Sequence, residues 1–389
     1  MSIKIVSDAY IPFVEDVFSK ECSLHLVPGH EIDSSVIEHA DALLVRSETA
    51  VDEELLKGST VQFVGSATAG YDHVDWVYLD KRRIEWAYAP GCNAESVIEY
   101  VFAAIFYLSQ LKNTPILNST LGIVGVGEIG SRLEKRASAL GLNVLENDPP
   151  RARNEPARDG KKEYVKLEQL LEESDIVSLH VPLTKEGLDP TENLIGSNEL
   201  GLLKDGTWIL NTSRGGVVNE SALIDSIRNH HIGAAAVDVW DGEPNPDPSL
   251  QELVDICSPH IAGYSRDAKR NCTQMIADRL KRHFSVPNQE VARPERTPIR
   301  LNMPEINPEN NPEAFIHGIV EQMYRIEDDL DRMRSLPLHD SRKREAAFRQ
   351  QRREYRSRLT FSRYELSSRG LSEDWQTRLR DGLKISMID

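Results

Sequence analysis

The chain has 389 residues, 40% of them hydrophobic, so we expect two or three domains with proper cores. Its formal net charge of −16 argues against non-specific binding to nucleic acid or to an acidic membrane surface. The four cysteines have no CxxC spacing or histidine cluster, which favours reduced thiols over a zinc site or a disulfide framework. The N-terminus enters a strand-like IKIVS without a signal peptide, and the longest apolar run, near 101–106, is too short to span a bilayer. We therefore expect a cytoplasmic protein with no metal and no nucleic-acid or membrane partner.

The first 90 residues alternate short apolar strands with helical stretches. This alternation predicts a parallel sheet with helices on its faces. A long and largely apolar helix follows at 94–111, and its nearly continuous apolar surface predicts burial between two domains.

The stretch LGIVGVGEIG at 121–130 is typical of a dinucleotide-binding βαβ unit. Its apolar strand ends in GxGxxG and a helical pattern follows at once. Gly125 would form the turn, and Gly127 would let backbone N–H groups approach a pyrophosphate. Gly130 would let the helix pack closely on the strand. The sequence therefore predicts a nucleotide site at this turn.

Asp148 ends the next strand, LNVLEND, close to the spacing expected for the acid that binds a ribose 2′-hydroxyl. Its carboxylate would repel a 2′-phosphate, which favours NAD over NADP. Arg151 weakens this preference because an arginine can accept that phosphate, although we expect it to lie along the adenine.

Beyond a polar loop at 149–162, strands and helices alternate again and complete a six-stranded doubly wound sheet. The helical pattern at 266–284 has no strand partner of its own, so we expect it to return to the first domain. The dinucleotide domain would then be inserted within a catalytic domain, with a hinge and a cleft between them. The predicted domains are catalytic at 1–93 and 259–286, NAD-binding at 94–258 and C-terminal at 287–389.

The C-terminal part begins with a proline-punctuated stretch, which we interpret as a linker plus an edge strand, RTPIRLNM. Two amphipathic helices follow, at 313–333 and about 341–358. The segment is small for an independent domain, and a second subunit could cover its apolar faces. We therefore predict a homodimer formed through this part.

Three loops after strands of the second sheet carry candidate catalytic residues: Arg214, Glu243 and His260. Ligands of open α/β sheets lie outside the carboxyl ends of the strands, so these loops could converge on one crevice. Oxidation of an alcohol needs a base for the hydroxyl proton, and His260 is the best candidate. Glu243 would fix its tautomer, Arg214 would bind a carboxylate, and Asp238 could accept a hydrogen bond from the nicotinamide carboxamide.

Each of these residues also has an ordinary structural interpretation. His260 could be a satisfied turn histidine, Arg214 could anchor a loop through an ion pair, and Glu243-Pro244 could be a plain turn. Their order along the chain and their common place after strands of one sheet favour the catalytic interpretation.

The motifs GVGEIG, SRGGVVNESAL, AAVDVWDGEP and SPHIAGY resemble those of the D-2-hydroxyacid dehydrogenase family over residues 1 to about 286. The resemblance implies a flavodoxin-like catalytic domain around a Rossmann NAD domain, with a small α+β dimerisation domain at the C-terminus. It implies that Arg214, Glu243 and His260 are active-site residues and that Ser47, Thr68 and Tyr264 contact substrate. It also implies NAD contacts at Gly125, Gly127, Glu128, Ile129, Gly130, Asp148, Val181, Thr212, Ser213, Arg214, Asp238 and Gly263. The family often has threonine where Val181 stands, so we expect that contact, and those of Thr212 and Ser213, to use the main chain.

Within the family, LLVRSETAVDEELL, APGCNAESVIEYVF and the C-terminal extension are similar to a member that acts on a small phosphorylated 2-hydroxy acid. Arg214 would hold its carboxylate, leaving Arg46, Ser47, Lys269 or an arginine of 342–358 for its phosphate. The basic run near Arg352 is by default a solvated helix face, and our sharper hypothesis is that it reaches the neighbouring subunit's phosphate site. The alternatives are a 3-phosphoglycerate dehydrogenase, a glyoxylate/hydroxypyruvate reductase, or a non-catalytic NAD-sensing scaffold.

Overall fold

A computed structural model describes residues 2–18, 22–154, 163–286, 297–356 and 358–389 of the chain. Its contacts divide the chain into two compact units. The first unit comprises Met1–Asn93 and Ser265–Arg296, and the second comprises Ala94–Tyr264 and Thr297–Asp389. The three-domain division expected above is a finer one, and its boundaries remain predictions. The end of the polar loop and most of the proline-rich linker fall outside the described residues.

The first unit is built on a five-stranded parallel sheet in the order β2-β1-β3-β4-β5. Its strands are β1 Ile3–Asp8, β2 Cys22–Val27, β3 Ala42–Val45, β4 Phe63–Ser66 and β5 Glu85–Ala87. Its helices are α1 Val14–Phe18, α2 Ser34–Ile37, α3 Glu53–Leu56, α4 Trp76–Arg82 and, from later in the chain, α12 Arg266–His283. Strands β3 and β4 are buried along their whole length, as expected for a sheet covered on both faces. This doubly wound topology confirms the predicted flavodoxin-like fold.

The second unit contains a six-stranded parallel sheet in the order β11-β10-β9-β8-β6-β7. Its strands are β6 Thr120–Val124, β7 Asn143–Asn147, β8 Ile176–Leu179, β9 Thr207–Asn211, β10 Ile232–Val237 and β11 Ile256–Cys257. Its helices are α5 Ala94–Lys112, α6 Gly130–Leu140, α7 Pro149–Asn154, α8 Leu167–Glu173, α9 Ser197–Leu200, α10 Glu220–Arg228 and α11 Pro248–Leu253. Strand β6 lies between β7 on one side and β8 on the other, so the sheet grows in opposite directions from β6. Ligands of such sheets bind at this switch point, outside the carboxyl end of β6. The predicted six-stranded Rossmann sheet is confirmed, whereas α7 replaces part of the loop expected at 149–162.

The C-terminal segment adds a small parallel sheet, in the order β12-β13-β14, and four helices to the second unit. Its elements are β12 Ile299–Arg300, α13 Pro312–Met323, α14 Glu327–Arg334, α15 Ser341–Arg353, β13 Tyr364–Ser367, α16 Glu373–Arg378, a π-helical turn Leu379–Leu383 and β14 Ser386–Ile388. The prediction of a single helix at 313–333 is wrong. Tyr324 adopts an extended backbone and ends α13, and α14 begins as a separate helix. The Tyr324 hydroxyl donates a hydrogen bond to the carboxylate of Asp329 at 2.6 Å. The helical periodicity of the sequence does not reveal this contact.

The apolar faces of these helices are covered by the same chain. Helix α13 packs on α5, and Phe315, Ile316 and Ile319 are fully buried. The need for a second subunit to cover these faces therefore disappears, and the homodimer has to rest on other evidence.

The cysteines correct another expectation. Cys92 and Cys272 form a disulfide within the first unit, with their Cα atoms 5.2 Å apart. Spacing could not reveal it, because 180 residues separate the two and only the return of α12 brings them together. Cys22 and Cys257 lie outside this disulfide. In the described segments no cluster of three or more His, Cys, Asp or Glu side chains could hold a metal ion, and no helix is long and apolar enough to cross a membrane.

Candidate active site

The glycine-rich turn joins β6 to the N-terminus of α6. Gly125 has a φ of +90°, which glycine adopts without strain, and a Cβ there would lie 2.8 Å from a methyl carbon of Val181. A Cβ on Gly130 would collide with the carbonyl oxygen of Gly125, so strand and helix approach this closely only because of the glycine. A Cβ on Gly127 would meet no other described residue within 4 Å, apart from its two chain neighbours. The turn thus leaves open space at a helix N-terminus, where backbone N–H groups bind phosphate.

Asp148 holds this turn in place from the end of β7. Its carboxylate accepts hydrogen bonds from the backbone N–H groups of Val126 and Arg151, both at 2.9 Å. The Arg151 guanidinium donates to the carbonyl oxygen of Val126 at 2.6 Å and lies over the Tyr164 ring. The half-buried Asp148 carboxylate and the open Gly127 fit a dinucleotide whose ribose and pyrophosphate lie along the turn.

The two residues before Gly130 differ in exposure. Glu128 is exposed and forms an ion pair with Arg132, one helical turn later, at 2.7 Å. Ile129 is half-buried and packs against the core of the second unit. Because Glu128 is paired with Arg132 and Ile129 is apolar, we expect both residues to contact a cofactor through the main chain.

The residues after β8 offer a main-chain contact and a neutral imidazole. The Val181 side chain packs on Gly125 and, being aliphatic, has no hydrogen-bonding group. His180 Nε2 lies 2.9 Å from the hydroxyl of Ser178, and its Nδ1 is buried with no hydrogen-bond partner in the described part of the chain. Burial lowers the pKa of His180 to about 3, so this ring is neutral at physiological pH.

Asn211, the last residue of β9, fixes the loop that carries Arg214. Its side-chain oxygen accepts hydrogen bonds from the N–H and the hydroxyl of Ser213, at 3.1 and 2.8 Å. Its amide nitrogen donates to the carbonyl oxygen of Arg214 at 3.1 Å, and the Arg214 guanidinium donates to the carbonyl oxygen of Ser213 at 2.8 Å. Thr212 is buried, and its hydroxyl has no partner among the residues described. The asparagine thus orients the backbone from which the arginine extends.

Gly215 brings this loop against the loop that follows β10. A Cβ on Gly215 would collide with the carbonyl group of Trp240 and lie 2.8 Å from the backbone nitrogen of Asp241. The backbone N–H of Trp240 donates to the carboxylate of Glu243 at 2.9 Å. Arg214 and Glu243 therefore lie on adjacent, touching loops at one edge of the sheet.

Asp238 fixes the loop that carries His260. Its carboxylate is 1% exposed and accepts hydrogen bonds from the hydroxyl of Ser258 at 2.6 Å and from the N–H groups of Ile261 and Ala262 at 2.7 and 2.9 Å. Its carbonyl oxygen accepts from the N–H of His260 at 2.7 Å. Burial raises the pKa of Asp238, and His260 and these hydrogen bonds oppose that rise. Sequence reasoning missed this loop-holding role, whereas the contact with a nicotinamide carboxamide is still a prediction.

The structure brings Glu243 and His260 together. His260 Nδ1 lies 2.7 Å from a Glu243 carboxylate oxygen, and the backbone of His260 has a φ of +57°, which is rare for residues other than glycine. Burial acts to raise the pKa of Glu243, but His260, Arg352 and the hydrogen bonds hold it below its ordinary value. The imidazole is 32% exposed, and its Nε2 has no hydrogen-bond partner in the segments described. An ionised carboxylate thus orients a histidine whose second nitrogen can bind a ligand.

Tyr264 is enclosed by the C-terminal segment, an arrangement that sequence analysis missed. The Arg358 guanidinium donates to the carbonyl oxygen of Tyr264 at 2.9 Å, and the Tyr355 ring lies 5.8 Å from the Tyr264 ring. A terminal nitrogen of Arg352 donates to the Tyr264 hydroxyl at 3.3 Å. The basic and aromatic residues of 352–358 were the available signal, but nothing in their spacing pointed to this loop.

The remaining predicted ligand residues are divided between the units. Ser47 and Thr68 lie in the first unit, just after the C-terminal ends of β3 and β4, and Ser47 is exposed. The hydroxyl of Thr68 donates to the carbonyl oxygen of Gly70 at 2.6 Å. Gly263 lies in the second unit and is half-buried. Contacts of all three with a ligand are still to be tested.

A family model described as the NAD-binding domain of D-isomer-specific 2-hydroxyacid dehydrogenases matches residues 106–262. A protein of Salinibacter ruber named erythronate-4-phosphate dehydrogenase is 48% identical over 279 residues, 72% of this chain and 71% of the relative. A protein of Pseudomonas paraeruginosa with the same name is 36% identical over 378 residues, 95% of this chain and 97% of the relative. The second match therefore includes the C-terminal segment.

Two solved structures have the same fold. The D-lactate dehydrogenase of Aquifex aeolicus, complexed with NAD and lactic acid, superposes with a TM-score of 0.61 at 25% identity, covering 72% of this chain and 95% of that structure. The 3-phosphoglycerate dehydrogenase of Entamoeba histolytica, with bound NAD⁺, superposes with a TM-score of 0.62 at 25% identity, covering 74% of this chain and 98% of that structure.

Proposed function

This chain belongs to the D-isomer-specific 2-hydroxyacid dehydrogenase family, and we propose that it oxidises 4-phospho-D-erythronate to 2-oxo-3-hydroxy-4-phosphobutanoate in the biosynthesis of pyridoxal 5′-phosphate. The main structural support for this reaction is the 2.7 Å hydrogen bond between His260 and Glu243. The choice of substrate is supported by the relatives of the chain, one of them matched over almost its whole length, whose name contains this substrate.

The enzyme uses NAD, and the turn at 125–130 fits it. The open position at Gly127 gives room for a pyrophosphate against the N-terminus of α6, and the Asp148 carboxylate at the end of β7 suits a ribose hydroxyl. When bound, NAD accepts the hydride that leaves the substrate carbon.

His260 takes the proton of the substrate's 2-hydroxyl group. Its Nδ1 is engaged by Glu243, so Nε2 is the nitrogen that accepts the proton during oxidation and donates it in the reverse direction. The ionised Glu243 carboxylate stabilises the imidazolium that forms and keeps the ring in its productive orientation. Asp238 acts indirectly, because its carboxylate holds the backbone just after this histidine and the side chain of Ser258 just before it.

Arg214 binds the carboxylate of the substrate. A guanidinium matches a carboxylate with two parallel hydrogen bonds, and its positive charge also favours the negative charge that develops on the oxygen at C2 in the reverse direction. The Asn211 hydrogen bonds hold its backbone, and Gly215 keeps its loop against the loop of Glu243.

The protein works as a homodimer through its C-terminal segment. Support comes from the outermost strand β12, whose Ile299 is 42% exposed at the edge of the small sheet. An open strand edge with an exposed apolar residue can pair with a second copy. Light scattering after size exclusion should give twice the mass of the chain, and Ile299→Lys should shift it towards the monomer. A monomeric wild-type protein would refute the dimer.

A substrate panel tests the function. The wild-type enzyme, NAD and 4-phospho-D-erythronate should produce NADH with a kcat/KM far above those for 3-phosphoglycerate, glycerate and lactate. NADP should be a much poorer cofactor. Turnover of 3-phosphoglycerate alone would replace the substrate and keep the family, whereas NADH binding without turnover of any 2-hydroxy acid would favour an NAD-sensing scaffold.

A further inference from the structure

The C-terminal segment of the chain places a cation beside the catalytic pair. Arg352 lies in the last turn of α15, with its guanidinium carbon 5.9 Å from the centre of the Tyr264 ring and a terminal nitrogen 3.3 Å from the Tyr264 hydroxyl. Its charge acts on both Glu243 and Asp238, the two carboxylates that hold His260. Arg352 therefore lies against Tyr264, four residues after His260 on the same loop.

Two nearby side chains, those of Tyr355 and Arg358, fix the backbone around Arg352 on its own chain. Tyr355 donates a hydrogen bond from its hydroxyl to Asp329 at 2.9 Å, and Arg358 donates to the carbonyl oxygens of Ala262 and Tyr264 at 2.7 and 2.9 Å. Tyr264 and Arg352 belong to the same chain, so this contact lies within one subunit, and the hypothesis that the arginine reaches a neighbouring subunit stays a prediction.

The contacts of Arg352 leave its charge unneutralised at close range. Among the residues described, no carboxylate lies within 4.0 Å of its guanidinium, and its Nε is buried without a hydrogen-bond partner. A half-buried guanidinium loses part of its hydration, and a single hydroxyl at 3.3 Å compensates for little of that loss. In a chain with a net charge of −16, a cation held in this way indicates an anionic ligand.

Arg46, the other arginine considered for binding the substrate's phosphate, already forms an ion pair with a carboxylate. Arg46 donates to the fully buried carboxylate of Asp8 at 2.7 Å and lies 5.5 Å from the centre of the Tyr10 ring. Its charge is therefore compensated within the first unit, unlike that of Arg352.

We propose that Arg352 binds the phosphate group of the substrate and thereby makes the enzyme specific for a phosphorylated 2-hydroxy acid. The inference rests on the proposed function for the identity of the substrate. Arg214 and Arg352 then bind opposite ends of one molecule, with His260 acting between them. The Tyr264 hydroxyl orients the guanidinium and remains within reach of the same anion.

The test compares two compounds that differ only in the phosphate, 4-phospho-D-erythronate and D-erythronate. Arg352→Gln should raise KM for the phosphorylated compound about 10- to 100-fold and change kcat little, because a charge-assisted contact present in both ground and transition states is lost. The kcat/KM for D-erythronate should fall much less than that for the phosphorylated compound, because no phosphate contact is lost with it. Arg352→Lys should fall in between, and Arg353→Gln, which alters the exposed neighbouring residue, should change nothing.

Equal losses for both compounds would overturn the proposal, because Arg352 would then position Tyr264 or the catalytic pair. Unchanged kinetics for both compounds would overturn it as well. Thermal unfolding shows whether each variant is folded. If Arg352→Gln does not fold, the same two compounds are compared with Arg352→Lys instead.

Binding separates this proposal from the proposed function. Titration of the wild-type enzyme–NADH complex, followed by NADH fluorescence, should show tighter binding of 4-phospho-D-erythronate than of D-erythronate, and the variant should lose that preference. If the wild type has the preference but does not oxidise the phosphorylated compound, the proposed function fails and the role of Arg352 stands. If the wild type has no preference, the role of Arg352 is refuted whatever the enzyme oxidises.

Discussion

The glycine turn at 125–130 and the histidine loop at 258–264 both follow parallel strands of the second sheet, but different contacts hold them. The glycine turn depends on its own backbone, on Val181 and on one nearby carboxylate, Asp148. The histidine loop depends on Asp238, on Tyr100 through Ser258, and on Arg358 from the C-terminal segment. The cofactor end of the site is thus held by loops of the six-stranded sheet itself, whereas the catalytic end also depends on α5 and on the C-terminal segment.

Among the variants that test the difference between the two ends of the site, Glu243→Gln should have the largest effect on kcat. The amide can keep a hydrogen bond with His260 but lacks the charge that stabilises its protonated form, so kcat should fall about 10²-fold. NADH affinity, which depends on the glycine turn, should not change. Steady-state kinetics and NADH fluorescence titration measure the two quantities, and an equal loss of both would show that the two ends are not independent.

Arg358→Met tests whether the C-terminal segment supports the histidine loop. It would leave the carbonyl oxygens of Ser96, Ala262 and Tyr264 without their buried donor, so the free energy of unfolding should fall by about 1–3 kcal/mol. We expect kcat to fall about tenfold, a loss of about 1.4 kcal/mol, because the loop that carries His260 loosens. Arg358→Lys should restore part of kcat, and KM for NAD should stay constant. A destabilised variant with wild-type kcat would mean that the segment contributes stability alone.

Alanine substitutions at Gly130 and Gly127 separate the stability of the glycine turn from its binding of the cofactor. Gly130→Ala should destabilise the protein by about 1–3 kcal/mol, because its Cβ collides with the carbonyl oxygen of Gly125. Gly127→Ala should leave stability unchanged, since its Cβ meets no other described residue apart from its two chain neighbours, but it should weaken NAD binding about tenfold by occupying the pyrophosphate space. Urea unfolding and NADH titration distinguish the two. Wild-type NADH affinity in Gly127→Ala would place the cofactor elsewhere.

The smallest effect concerns Glu99, which joins α5 to the C-terminal segment by accepting the N–H of Phe361 at 2.7 Å. Burial raises the pKa of Glu99 to about 7, although the nearby Arg136 and Arg358 act to lower it. Because the native state then binds the proton more tightly than the unfolded state, this stabilisation is complete below the ordinary pKa of a glutamate and is lost as the pH rises through 7. Between pH 5 and 8 the free energy of unfolding of the wild type should fall by more than that of Glu99→Gln. Identical pH dependence of the two proteins would contradict this.

What could be predicted from the sequence follows the same division. GVGEIG and the alternation of strands and helices are local signals, because a positive φ and a close backbone approach require glycine at particular positions. The fold of both sheets was therefore predictable, and Arg214, Glu243 and His260 could be singled out from their places after strands. The contact of Arg358 with the histidine loop, the break at Tyr324 and the Cys92–Cys272 disulfide were not predictable. The Arg358 contact and the disulfide join residues far apart in the sequence, and the extended backbone of Tyr324 interrupts an apolar pattern that continues past it.

The central claim is that His260 takes the proton of the phosphorylated 2-hydroxy acid while NAD is held independently at the glycine turn. Single-turnover oxidation of 4-phospho-D-erythronate by wild-type enzyme and by His260→Asn tests it most directly, with NADH affinity measured on the same samples. We predict that the variant binds NADH as the wild type does and forms NADH at least about 10²-fold more slowly. A variant that oxidises the substrate at the wild-type rate would contradict the account.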